Sequence, residues 1–98
     1  MKISMEKNDR YLEIALEGRL DTITSPELEN KINELEGIDN LVIDLQKLDY
    51  ISSAGLRVLL SMQKFMNKQG NMVIVNVSDN VRDVFEITGF NDILNIKD

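Results

Sequence analysis

Apolar and polar residues alternate from Tyr11 to Glu17, with Leu12, Ile14 and Leu16 on one side and Glu13 and Glu17 on the other. A period of two marks a strand with one wet face. Met1–Glu6 alternates more weakly, and Lys7-Asn8-Asp9-Arg10 is a polar turn, so the chain is expected to open with a β-hairpin. After Gly18, the segment Arg19–Thr24 reads as a loop. Ser25 then offers an oxygen to a first-turn amide, and Pro26 suits the first helical position, where no N–H is needed. Leu28, Ile32 and Leu35 share one face of this predicted helix, and Gly37 supplies a left-handed exit.

The next strand, Leu41–Leu45, is apolar at nearly every position, which predicts cover on both faces. The longest helical pattern runs from Gly55 to Gln69. Arg57, Ser61, Lys64 and Lys68 form a narrow polar stripe, while Leu56, Val58, Leu59, Leu60, Met62, Phe65 and Met66 fill most of the remaining arc. Gly70 ends it. Met72–Val77 reads as another strand, and Ser78 or Asp79 caps a helix carrying Val81, Val84 and Phe85 that Gly89 stops. Ile93–Ile96 is a final short strand. The order ββαβαβαβ predicts an α/β fold, with a mixed but mostly parallel sheet, an N-terminal hairpin and helices packed against it. No repeat or linker divides residues 1–98, so one domain is expected.

Composition narrows the function. A 43% apolar content supports a core without staples, and the absence of cysteine excludes disulfides and suits a reducing compartment. The N-terminus has no apolar signal region and no run reaches membrane-spanning length, which gives a cytoplasmic expectation without membrane insertion. A net charge of −6 argues against direct nucleic-acid binding, which is built on Lys and Arg. With no histidine or cysteine, and no metal-protease, phosphate-loop or dinucleotide motif, no enzyme, metal or cofactor is expected. Glu27, Glu29, Glu34 and Glu36 read as a solvated helix surface.

That leaves DYISSAGLRVLL, residues 49–60, where a strand gives way to a helix and two serines sit at the corner. Ligands and partners of α/β sheets tend to meet the carboxyl ends of strands. Ser52 and Ser53 can act there as helix caps, or one of them as a switch. A phosphoserine adds about −1.5 to −2 charges at pH 7, which the positive end of a helix dipole tolerates. A partner shaped for a neutral hydroxyl does not. Arg57 lies four residues after Ser53, on nearly the same helical face, so it reads either as a receiver for that phosphate or as one exposed arginine of the polar stripe.

Taken with the flanking segments EGRLD (17–21), LVIDL (41–45) and KQGNMVIVNVSDNVRDVFEITGFNDIL (68–94), this stretch resembles a STAS domain of the bacterial anti-sigma factor antagonist family, over essentially the whole chain. The resemblance implies that the unmodified protein binds an anti-sigma factor, often a serine kinase, and so frees a sigma factor. Phosphorylation at the corner ends that binding, and a PP2C-type phosphatase restores it. Counting back from Gly55-Leu56, the resemblance puts the phosphoacceptor on Ser53, with Ser52 as the rival. It implies a partner surface drawn from Asp21, Thr22, Ser52, Ala54, Gly55, Leu56 and Arg57. The chain departs from the family pattern at Ser52, usually aspartate, and at Arg57, often glycine. STAS domains also serve as accessory or scaffold subunits of membrane transporters and stress-sensing complexes, which is the alternative expectation. A small hydrolase has only the corner serines and no base to support it.

Overall fold

The computed structural model describes residues 1–97. Two strands form the hairpin, β1 (Lys2–Asn8) and β2 (Tyr11–Leu20), followed by a short helix α1 (Ser25–Glu29) and a 3-10 turn at Ile32–Leu35. Then come β3 (Asn40–Ile51), the long helix α2 (Ser53–Asn67), β4 (Asn71–Val75), α3 (Asp79–Thr88) and a 3-10 turn at Phe90–Asp92. The sheet order is β1-β2-β3-β4, with β1 antiparallel to β2 and the other two pairings parallel. This is the α/β architecture expected from the order of elements.

The core lies between one face of the sheet and the helices. Leu12, Ile14 and Leu16 of β2, Leu41, Ile43 and Leu45 of β3, and Met72 and Ile74 of β4 are buried there. They meet Leu28 of α1, Leu59, Met62 and Met66 of α2, and Val81 and Phe85 of α3 in one cluster. On the opposite face Glu13, Ala15, Val42, Asp44, Val73 and Val75 are only half-buried. The dense apolar run at Leu41–Leu45 therefore does not mark a strand covered on both sides. Its even-numbered residues stand on an open face, where Asp44 Oδ1 accepts from Gln46 N at 2.9 Å.

Several boundaries differ from the pattern-based expectation. The hairpin turn is two residues, Asp9-Arg10, because Asp9 takes a left-handed conformation (φ 57°) and lets pairing run to Asn8↔Tyr11. β2 continues through Arg19 and Leu20, with a register shift after Gly18 (φ 105°), so the loop shrinks to 21–24. The first helical segment is interrupted after Glu29 and resumes as the 3-10 turn that buries Leu35. Ser25 is not its cap. Thr24 holds the capping position, Ser25 begins the helix, and Pro26 is its second residue. α2 starts at Ser53 and ends at Asn67, two residues early at each end. The last predicted strand reduces to a single parallel bridge, Ile74↔Ile96.

Candidate partner-binding site at the β3–α2 corner

The carboxyl ends of β2 and β3 meet at the start of α2. Ile51 is buried at the end of β3, and the next amide, Ser52 N–H, donates to Leu20 O at 2.9 Å, tying the corner to β2. Ser52 is extended (φ −100°, ψ 175°) and occupies the N-cap of α2. Its Oγ accepts from Gly55 N at 3.4 Å, and its carbonyl accepts from Leu56 N at 2.9 Å. The hydroxyl of Ser52 is thus turned into the first turn of the helix. Ser53, one residue on, is the first helical residue and is exposed. The backbone separates two adjacent serines into a cap and a free hydroxyl.

Gly55 explains how the helix comes so close to β2. A Cβ added there would stand 2.7 Å from Leu20 Cγ and 2.9 Å from both Ile51 Cγ1 and Leu20 O. Only a residue without a side chain permits this approach. Leu56 is buried in the core. Gly55 and Leu56 therefore hold the corner in place from within, while Ala54 is half-buried and Arg57 exposed on its outside.

The loop after β2 is built around Asp21. Its Oδ1 accepts from Ile23 N and Thr24 N, each at 3.0 Å. Thr24 Oγ1 accepts from Asp21 N at 2.9 Å and donates to Arg19 O at 2.7 Å. The Thr24 amide above all holds the Asp21 carboxyl below its ordinary range; some lost hydration opposes this, and the Thr24 hydroxyl, the Ile23 amide and Arg19 reinforce it. Arg19 Nε lies 3.7 Å from Asp21 Oδ2, and its guanidinium carbon stands 4.2 Å from the centre of the Tyr50 ring. The loop is a fixed knuckle, and at its tip Ile23 is 86% exposed.

Of the expected site residues, Thr22, Ala54 and Arg57 come together along a groove of about 280 Å³ between α1 and α2, shared with Ser25, Pro26, Glu29, Val58 and Ser61. Asp21 shapes the loop beside them. Ser52 and Ser53 directly precede Ala54 in the chain but do not themselves line the groove. Sequence reasoning missed Ile23. Its signal was present in DTITSP, where one bulky apolar residue stands in a run of hydroxyls. Among the described residues, no three acidic or metal-binding side chains are grouped to hold a metal ion, and no helix is long and apolar enough to cross a membrane.

This arrangement coincides with a known family. The STAS domain model matches residues 2–98, and the chain belongs to that family. Its similarity to individual members is consistent. BtrV of Bordetella bronchiseptica, named as an anti-sigma factor antagonist, is 41% identical over 93 residues, covering 92% of this chain and 80% of the relative. The crystal structure of an anti-sigma factor antagonist from Mycobacterium paratuberculosis superposes with a TM-score of 0.87 at 24% identity, covering 97% of this chain and 83% of that one. The Bacillus cell fate determinant SpoIIAA in its phosphorylated form gives a TM-score of 0.75 at 19% identity, over 99% and 92% of the two chains. At those identities the two structures speak for the fold.

Proposed function

We propose that this chain is an anti-sigma factor antagonist: its unmodified form binds an anti-sigma factor that is also a serine kinase, and so releases a sigma factor. The observation that carries the reading is the split between the corner serines, with Ser52 engaged as the cap of α2 and Ser53 exposed as its first residue. The kinase transfers the γ-phosphoryl group of ATP to Ser53 Oγ. A new O–P bond replaces the Pγ–O bond to ADP, and the hydroxyl proton is lost. The chain acts here as substrate and regulator and supplies no catalytic group. The added dianion stands at the positive end of the 15-residue helix α2, so the fold accommodates it. The partner surface, shaped around a neutral hydroxyl, loses its fit. A PP2C-type phosphatase returns the chain to its binding form.

Thr22, Ala54 and Arg57 form the outer contacts of this surface, with Ile23 as its apolar knuckle. Asp21, Ser52, Gly55 and Leu56 set its shape. The similarity to BtrV supports this reading over that of a transporter subunit. The test is incubation with the cognate kinase and ATP followed by intact-mass and fragment analysis. One phosphate on Ser53, absent from Ser53→Ala, is expected. Phosphate on Ser52 with Ser53 untouched would overturn the assignment.

A further inference from the structure

Arg57 stands apart from the paired arginines of this chain. Arg10 is joined to Asp39 at 2.8 Å, and Arg19 lies 3.7 Å from Asp21 and stacks on Tyr50. Among the described residues, no carboxylate lies within ion-pair distance of Arg57, although it lines a groove formed by two packed helices. The lining is rich in hydroxyls: Thr22, Ser25 and Ser61. One of them, Ser25, is only 4% exposed, and its Oγ has no hydrogen-bond partner. An unpaired guanidinium in a groove lined by hydroxyls is a site that an anion with several acceptor oxygens can fill.

The chain can supply that anion itself. Arg57 follows Ser53 by four residues on α2, which puts the two about 6 Å apart along the axis and about 40° apart around it. That span is within reach of an arginine side chain. Glu29 also lines the groove, but among the described residues it makes no ion pair with Arg57. Asp21 is turned into its own loop, accepting from Ile23 and Thr24.

We infer that Arg57 is an internal receiver for the phosphate on Ser53, holding it at the mouth of the α1–α2 groove. This rests on Ser53 being the phosphoacceptor and adds a second element to the switch. Modification then does more than add charge at the corner. It also withdraws the Arg57 guanidinium from the partner surface, so a single phosphate changes two of its features.

The test uses the full chain carrying phosphoserine at position 53, introduced during translation so that no kinase is needed. The second ionisation of the phosphate is followed by ³¹P NMR in the wild type, Arg57→Gln and Arg57→Lys. The wild type should titrate lowest, Arg57→Lys in between, and Arg57→Gln higher by at least about 0.3 unit, roughly twofold in proton affinity. Phosphorylation should raise the melting temperature of the wild type, and that rise should shrink in Arg57→Gln. Identical titrations in wild type and Arg57→Gln would overturn the inference. Binding of the unmodified chain to its partner is measured separately, so the clamp and the antagonist function can fail independently.

Discussion

Gly55 and Leu20 touch so closely that no side chain fits between them: a Cβ on Gly55 would lie 2.7 Å from Leu20 Cγ. This contact joins the N-terminus of α2 to the end of β2, and so sets the distance between the Ser53 corner and the Asp21 loop. The corner and the loop are held in register by the lack of one methyl group. Gly55→Ala should therefore cost about 1–3 kcal/mol, as overpacking of a tight site does. It should also weaken partner binding beyond what the loss of folded protein explains. Urea denaturation, together with binding measured at matched folded concentration, checks both. Unchanged stability would mean the corner yields freely.

Ser52 caps α2, and the proposed switch gives it no phosphate. Ser52→Ala removes the acceptor for Gly55 N, a long bond at 3.4 Å, so the loss should fall near the low end of the capping range, about 0.5–1 kcal/mol. Phosphate uptake at Ser53 should persist in this variant. Loss of uptake in a folded Ser52→Ala protein would contradict the division of roles.

Ile23 is 86% exposed on a loop that Asp21 and Thr24 hold rigid. A large apolar side chain presented without ordering cost is the form a binding hot spot takes. Ile23→Ser should leave stability within about 0.5 kcal/mol, as exposed substitutions do. It should weaken anti-sigma factor binding at least about tenfold, corresponding to roughly 1.4 kcal/mol. Wild-type affinity in the variant would remove Ile23 from the interface.

Asp21 makes the loop sensitive to acid. Its carboxyl is held below the ordinary value of 3.8, so its stabilising contribution is present above that value and is lost as pH falls through the lowered one. The gap in melting temperature between wild type and Asp21→Ala should be widest near neutrality and should close as pH falls below about 4. A gap that stays constant from pH 7 to pH 3 would show that the charge of Asp21 is not what orders the loop.

Much of the fold was legible because burial in this chain is strongly periodic. Leu12, Ile14 and Leu16, and later Val81 and Phe85, point inward as their spacing requires. The pattern failed where backbone geometry decides. Asp9 in a left-handed conformation shortens the hairpin turn, and the irregularity at Gly18 lets β2 run on to Leu20. Both features are invisible to a count of apolar residues. The run Leu41–Leu45 misled because Val42 is a β-branched residue on a half-open face, where strand propensity and burial leave the same mark. The corner was found from the sequence, and the resemblance pointed to Ser53, yet which serine caps the helix was left open. Only the path of the chain shows that Ser52 turns into the helix and that Ser25, which looks like a cap, leaves that position to Thr24. The grouping of Thr22, in the loop before α1, with Arg57 of α2 likewise needed the packed structure.

In the proposed switch, a single phosphate on Ser53 ends binding while the fold stays intact. The most direct measurement is calorimetric titration of the cognate anti-sigma factor with the unmodified chain and with the same chain phosphorylated at Ser53, alongside their melting curves. Affinity should fall at least about a hundredfold, roughly 2.7 kcal/mol, with no loss of melting temperature. Equal affinity for the two forms, or a loss of binding that tracks a loss of folding, would rule out such a switch.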